Sequence, residues 1–139
     1  MSDLLDTSVL VAALVPDEPG HPESLDLLTQ GPHCIYSHAL LETFATLTGG
    51  RLGVRVDAKF AARMLRESIL PRVHVIELEL QEILAALDEA RSQGVRGGAV
   101  YDYMHLVAAR KANAKAIRTY NVSNFEHLLR DGDPVIEKP

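Results

Sequence analysis

The chain has 139 residues, a formal net charge of −5 and 47% hydrophobic residues. This length fits one domain over residues 1–139 with a substantial core, and the apolar content excludes disorder. The longest apolar run, residues 9–15, is far shorter than the roughly 20 residues that cross a bilayer, and no signal peptide is visible. A lone cysteine, Cys34, cannot form an internal disulfide. We therefore expect a cytoplasmic protein without a membrane partner.

Strands and helices are predicted to alternate along the first half of the chain. A short buried strand at residues 3–6 leads into a helix at 8–15, and a Pro/Gly loop separates this helix from an amphipathic one at 21–30. A strand at 33–36 precedes a helix at 39–48, which two glycines stop. Asp57 is expected to cap a further helix that runs to Leu70.

The second half continues the same alternation. We predict a strand at 72–77, helices at 79–93 and 99–112, a strand at 115–120, a short helix at 123–129 and a final strand at 134–137. This order favours a parallel sheet with helices on both faces, an α/β architecture. Ligands of such open sheets bind beyond the carboxyl ends of the strands.

Three apolar segments each carry a single acid. Asp6 follows the first strand, Glu42 is placed in the first turn of the helix after the second strand, and Asp102 lies in the first turn of its helix. Asp6 or Asp102 could serve a helix start, and Glu42 could be solvated, so each acid alone has a structural explanation. All three are nevertheless predicted at one edge of the sheet, together with residues 119–121.

Carboxylates that crowd together repel one another, by about 4 kcal/mol for a pair 4 Å apart at an effective dielectric near 20. Such a cluster takes up protons or binds a cation. An all-oxygen donor set, with no zinc-like histidine spacing, favours Mg²⁺ or Mn²⁺. Mg²⁺ held by carboxylates is suited to phosphodiester cleavage.

The charge distribution is uneven along the chain. Residues 1–50 contain seven acids and no Lys or Arg, whereas residues 51–66 contain five basic residues and one acid. Four of the basic residues recur at intervals of four: Arg51, Arg55, Lys59 and Arg63. They form either a solvated helix face or a rim that contacts RNA phosphates. Tyr101 and Tyr103, which flank Asp102, could stack on unpaired bases or pack in the core.

With these acids in place, the chain resembles PIN-domain nucleases, and more closely the VapC-type toxins of toxin–antitoxin pairs. The matching stretches are "LLDTSVLVAAL", "SHALLETFATLTGGRLG", "GGAVYDYMHLVAARKANAKAIRTYNVSNF" and "DPVI". The resemblance implies a three-layer α/β/α sandwich with a five-stranded parallel sheet. It also implies Mg²⁺-dependent endoribonuclease activity on RNA, homodimerisation and inhibition by a cognate antitoxin protein.

By residue, the resemblance assigns the metal ligands to Asp6, Glu42 and Asp102, and it matches Thr119 to a hydroxyl residue near the site. Many members of the family place a fourth acid after the fourth strand. This chain has Asn121 and Asn124 there, and Asn121 can still orient water through its amide. Because this charge is missing, we expect one firmly bound Mg²⁺ and a second that joins only with the substrate phosphate.

Two other functions stay open at the level of the sequence. A catalytically weak or silent PIN fold that binds RNA or an antitoxin would explain the two asparagines. A phosphotransfer or phosphatase domain would also place an aspartate after the first strand and Thr119 after a later one. Such domains need a second aspartate beside the first or two residues after it, where this chain has Thr7 and Ser8.

Overall fold

The structure is a computed structural model that describes residues 2–53 and 55–139. The described residues form five strands and seven α-helices. In chain order they are β1 (Leu4–Leu5), α1 (Thr7–Leu14), α2 (His21–Thr29), β2 (His33–Tyr36), α3 (His38–Thr48), α4 (Ala58–Met64), β3 (Val73–Ile76), α5 (Leu80–Glu89), α6 (Ala99–Lys111), β4 (Ala116–Arg118), α7 (Val122–Glu126) and β5 (Val135–Glu137).

All five strands are parallel and lie in the order β3-β2-β1-β4-β5. The chain therefore lays strands on one side of β1 and then crosses to place β4 and β5 on the other side. The strand order reverses between β1 and β4, which makes the carboxyl ends of these two strands the topological switch point of the sheet. In open parallel sheets this is where ligands bind.

Two apolar layers cover the two faces of the sheet, because neighbouring residues of a strand point in opposite directions. Leu4 and Cys34 pack on the face that carries α5, α6 and α7. Leu5 and Ile35 pack on the opposite face, against α1, α2 and α3. The predicted α/β architecture, with a five-stranded parallel sheet between two helical layers, is confirmed.

Some predicted boundaries are wrong. The first strand is only Leu4–Leu5, and the helix that was expected to run unbroken to Leu70 leaves α-helical geometry after Met64. It continues as one π-helical stretch, Leu65–Ile69, and ends in a single 3-10 turn, Leu70–Arg72. The predicted cap is present, since the Asp57 side chain accepts a hydrogen bond from the backbone N–H of Lys59.

Gly20 shows how tightly the loop before α2 is packed on the rest of the fold. Its φ of +81° lies in the left-handed region, and an added Cβ would fall 2.2 Å from the Tyr120 hydroxyl. That hydroxyl donates to the Gly20 carbonyl at 3.0 Å and pairs with the Ser24 hydroxyl at 2.7 Å. A side chain at position 20 would therefore displace Tyr120 and break both contacts.

We expect Gly20→Ala to lower the free energy of unfolding by about 2–3 kcal/mol, combining the left-handed backbone cost with the lost hydrogen bonds. Gly94→Ala is the matched control, since Gly94 has a φ of +71° but open space around its Cβ position. Urea denaturation of both variants measures the difference. Equal losses in the two variants would show that Tyr120 does not hold this loop.

Candidate active site

A cleft of about 630 Å³ opens at the switch point of the sheet. Its lining includes all three predicted acids, Asp6, Glu42 and Asp102, together with Asn121 and Arg51. Asp6 follows β1 directly, and Asp102 lies in the first turn of α6 as predicted. Glu42 lies in the second turn of α3, because that helix begins at His38, so its placement in the first turn was wrong. Glu42 nevertheless lines the cleft.

Asp6 is buried, with 3% of its surface exposed, and hydroxyl groups hold its carboxylate. Thr119 Oγ1 donates to Asp6 Oδ2 at 2.8 Å, and Ser8 Oγ donates to the same oxygen at 3.1 Å. Asp6 occupies the N-cap position of α1, but its side chain makes no capping hydrogen bond. Asp6 therefore does not cap α1 through its side chain.

The two hydroxyls also fix the chain that leaves β4. Ser8 Oγ accepts a hydrogen bond from the backbone N–H of Tyr120 at 3.1 Å, and Thr119 Oγ1 accepts one from that of Asn121 at 2.9 Å. Both hydroxyls then direct their own hydrogens to Asp6. This network joins the ends of β1 and β4 and sets the position of Asn121 on the cleft wall.

Glu42 is held by α1 and α6. His105 Nε2 lies 2.6 Å from Glu42 Oε1, and Thr7 Oγ1 donates to the same oxygen at 3.1 Å. Burial tends to raise the pKa of Glu42, but the hydrogen bonds and charge from His105, with help from Thr7 and His38, outweigh it and lower the pKa. Glu42 is therefore an ionised carboxylate at neutral pH.

His105 is fully buried beneath the cleft, and Nε2 is also 3.9 Å from Asp6 Oδ1. Burial disfavours its charged form, but the hydrogen bond to Glu42 and the charges of Asp6, Glu42 and Asp102 raise the pKa of His105 above its ordinary value. His105 is therefore a core histidine that also bonds a carboxylate of the cleft.

Asp102 shows the electrostatic cost of the arrangement. Burial raises the pKa of its carboxyl, and the negative charges of Asp6 and Glu42 raise it further, while His105 and Asn124 offset part of the effect. Asp6 and Glu42 are therefore close enough to Asp102 to repel its charge. Among the described residues, however, no three His, Cys, Asp or Glu side chains are grouped tightly enough to hold one metal ion. Hydroxyls and an imidazole occupy the inner oxygens of Asp6 and Glu42 instead.

The four basic residues of the predicted rim have different surroundings. Arg51 lines the cleft. The side chain of Arg55 lies over Gly50, and Arg63 is exposed and paired with Glu67 at 3.1 Å. Lys59 is exposed on the first turn of α4. Only Arg51 of the four is placed against the acids among the described residues.

The two tyrosines beside Asp102 have different roles. Tyr103 is fully buried, and its hydroxyl donates to the Ala86 carbonyl at 3.0 Å, which makes it a core residue. Tyr101 is 53% exposed. Sequence reasoning did not identify the contacts of Thr7 and Ser8 or the pairing of His38 with Tyr101. The available signal was the four-residue spacing that puts His38 on the face of Glu42 and Tyr101 on the face of His105.

The structure places three acids in a cleft at the switch point of a parallel five-stranded sheet, an α/β arrangement in which ligands bind at this edge. The family model that describes the PIN domain matches residues 4–128. The chain therefore belongs to the PIN domain family, in its VapC-type branch.

Similar proteins agree with this assignment. Ribonuclease VapC40 of Mycobacterium tuberculosis is 30% identical over 112 residues, which cover 81% of each chain. VapC20 of Mycobacterium tuberculosis, a toxin that cleaves the sarcin-ricin loop, has a similar fold, with a TM-score of 0.70 and 18% identity over 96% of this chain and 100% of that one. VapBC2 of Rickettsia felis, bound to a DNA fragment from its promoter, gives a TM-score of 0.69 and 19% identity, covering 100% of this chain and 99% of that one.

No helix among residues 2–53 and 55–139 combines the length and apolar character that a membrane span requires.

Proposed function

We propose that this protein is a metal-dependent endoribonuclease that cleaves single-stranded RNA, and that it is the toxin of a toxin–antitoxin pair. The observation that carries the proposal is the convergence of Asp6, Glu42 and Asp102 on one cleft, where burial and the charges of Asp6 and Glu42 raise the pKa of Asp102. Such repulsion is relieved when a cation binds. The name of the relative VapC40, a ribonuclease, supports RNA as the substrate.

The donor set suits Mg²⁺ or Mn²⁺, because carboxylate oxygens and water are the ligands that these hard ions prefer. Asp6, Glu42 and Asp102 would hold the ion. When bound, it would orient the phosphate, lower the pKa of an attacking water and offset charge on the leaving oxygen. Among the described residues the acids are not grouped tightly enough for one ion as they stand, so binding requires at least one of their side chains to move.

The surrounding residues have separate roles in this proposal. Thr119 and Ser8 orient Asp6, and His105 with Thr7 orients Glu42. The amide of Asn121 lines the cleft and can hydrogen-bond a water or a phosphate oxygen. These contacts orient Asp6 and Glu42 before substrate arrives, so less ordering remains to be done when RNA binds.

We assign the contacts with RNA phosphates to the basic residues. Arg51 lies on the wall of the cleft and can pair with a phosphate next to the scissile one. The exposed positions of Lys59 and Arg63, with Arg55, extend this positive charge along the chain beyond the cleft. Each phosphate contact adds a salt-dependent contribution to binding.

An antitoxin protein is the proposed protein partner, and a homodimer is the proposed assembly. Solved relatives include VapBC-1 of nontypeable Haemophilus influenzae, with a TM-score of 0.63 and 21% identity over 99% of this chain and 98% of that one. That structure carries the name of a VapBC pair, which supports a bound antitoxin here. Mixed gel filtration of the two purified proteins would test the pairing.

Purified protein freed of any partner is expected to cleave single-stranded RNA with Mg²⁺ or Mn²⁺ and not in EDTA. Gel analysis of a labelled RNA pool over time measures this, with Leu80→Ala, an exposed residue on α5, as a variant expected to retain activity. Equal cleavage in EDTA would contradict the metal mechanism.

A second function is favoured by two observations: the acids are not grouped tightly for one ion, and residues 121 and 124 are neutral asparagines. This candidate is a catalytically silent PIN fold that binds RNA or an antitoxin. Binding of RNA without cleavage, under every metal condition, would identify it.

A further inference from the structure

Three aromatic rings form a continuous array next to the Glu42–His105 pair. Tyr36 ends β2, His38 begins α3 and Tyr101 lies in the first turn of α6. The rings of His38 and Tyr101 are stacked, with centroids 5.5 Å apart and planes within 7° of each other. Tyr36 stacks on the other side of the array, 6.1 Å from His38 with an angle of 30°. Three elements of the fold thus hold one aromatic surface.

The array is in register with the acids. His38 lies one helical turn before Glu42 on α3, and Tyr101 lies one turn before His105 on α6. The stacked His38–Tyr101 pair therefore lies four residues, about 6 Å along the helices, from the Glu42–His105 hydrogen bond. The ring of Tyr36 connects the stacked pair to the Glu42–His105 pair, because it also contacts the His105 ring edge-on, with centroids 5.5 Å apart.

The outer end of the array is open to solvent. Tyr101 is 53% exposed, whereas Tyr103 on the same helix is fully buried in the core. Packing therefore accounts for Tyr103 and not for Tyr101. Tyr101 is ordered by its contact with His38, so its ring loses little freedom when a planar ligand stacks on it. Aromatic rings of this kind bind unpaired nucleobases in single-stranded RNA.

The cleft also supplies a place for the backbone of such a ligand. Arg51 and Asn121 line it together with the acids. Asp102 lines this cleft and follows Tyr101 directly on α6, so a nucleotide whose base lies on Tyr101 would have its sugar and phosphate within reach of the lining. A planar base next to a phosphate matches this combination of an exposed ring and a polar cleft.

We propose that Tyr101, supported by His38 and Tyr36, is a base-stacking subsite that positions an unpaired base of the RNA next to the phosphate that is cut. This proposal rests on the proposed function for its substrate class. Tyr101 holds the nucleotide and takes no part in bond breaking. Loss of the ring therefore raises KM and weakens RNA binding, and leaves kcat for saturating substrate largely unchanged.

Three variants separate the ring from other properties of the residue. Tyr101→Leu removes the aromatic face but keeps apolar bulk, and it is expected to weaken binding of a single-stranded oligonucleotide about 5- to 150-fold, the range for one lost base stack. Tyr101→Phe keeps the face and is expected to bind within about 2-fold of the parent, on the same reasoning. Leu80→Ala, an exposed apolar residue on α5, is the control for general surface effects.

Binding is measured in EDTA with ten-nucleotide RNAs, either intact or carrying one abasic position moved along the strand. We expect Tyr101→Leu to lose affinity for the intact RNA but to match the parent on the RNA whose abasic position faces the subsite. The chain has four tyrosines and no tryptophan, so tyrosine fluorescence gives a direct signal. Intact RNA should quench this emission in the parent, and less so in Tyr101→Leu.

The outcomes distinguish this subsite from the proposed ribonuclease activity. Tyrosine-dependent binding without Mg²⁺-dependent cleavage would support the subsite and contradict the activity. Cleavage with equal KM and equal affinity in the parent and Tyr101→Leu would support the activity and overturn the subsite. Equal weakening on intact RNA and on every abasic RNA, or a changed sedimentation of Tyr101→Leu, would overturn the subsite by showing that Tyr101 is a structural or protein-contact residue. RNA that binds to none of the proteins would overturn both.

Discussion

Replacing Asp102 with asparagine is expected to reduce RNA cleavage at least about 100-fold, because the variant loses one of three proposed ligands, and even residues that only support a ligand cost 10- to 100-fold. The same variant should be as stable as the parent without metal, or more stable by about 1 kcal/mol. Burial and the charges of Asp6 and Glu42 raise the pKa of Asp102, so its ionised form is disfavoured in the folded state. Asparagine removes that charge and keeps the shape.

The pH dependence of the stability difference follows from the raised pKa of Asp102. A carboxyl whose pKa is raised on folding makes the parent more stable as the pH falls through that raised value, until the pKa of the unfolded chain near 3.9 is reached. Asp102→Asn lacks this gain, so its advantage over the parent should be largest above the raised pKa and disappear at acid pH. Urea denaturation in EDTA across the pH range measures it.

Mg²⁺ should raise the thermal midpoint of the parent, by binding to the folded state, and should raise that of Asp102→Asn less. A structural role predicts the opposite, since neutralising an acid that supports a helix start costs about 0.5–1 kcal/mol. Asp88→Asn provides a matched control at an exposed aspartate on α5. A destabilised Asp102→Asn that still cleaves RNA would remove Asp102 from the site.

His105→Leu is expected to lower the free energy of unfolding by about 2–3 kcal/mol at pH 6 and to reduce cleavage about 10- to 100-fold. The variant leaves Glu42 without its 2.6 Å partner, and the charges of three neighbouring acids are no longer offset. Since Glu42 keeps 29% of its side-chain surface exposed, water compensates part of the loss. The expected cost is therefore below that of a fully buried pair.

The loss of unfolding free energy in His105→Leu should be smaller at higher pH. The pKa of His105 is raised on folding, so its contribution is fully present below the unfolded value near 6.5 and is lost as the pH rises through the folded value. The parent should thus lose stability over this interval, and His105→Leu should not. Denaturation in EDTA at pH 6 and pH 9 measures both proteins.

His74→Leu is the control for this experiment, because His74 is an exposed histidine on β3. It should leave the pH dependence of the parent in place. A double variant with Glu42→Gln should recover part of the lost stability, since the uncompensated charge is then removed. An unchanged pH dependence in His105→Leu would show that this histidine does not titrate with the acids.

The sequence by itself determined the class of fold. Apolar runs of strand length alternate with amphipathic helical segments, and this pattern alone predicts a parallel sheet with helices on both faces. Asp6 and Asp102 could also be recognised, because each is the lone charge of an apolar segment and a buried carboxylate needs a partner or a cation. Helix α6 and strand β2 were predicted almost to the residue, because their composition and the turn-forming residues that flank them indicate the same boundaries.

Tertiary structure alone decided how the acids are held. The contacts of Asp6 with Thr119 and of Glu42 with His105 join residues 113 and 63 positions apart, and no local pattern encodes such pairs. The break in helical geometry after Met64 was also beyond local propensity, since residues 57–70 form a good helical pattern that packing overrides. The aromatic array depends on the approach of α3 to α6, which fixes His38 against Tyr101. A helix's own sequence specifies which residues share a face, but only the packing of the sheet and helices determines what that face meets.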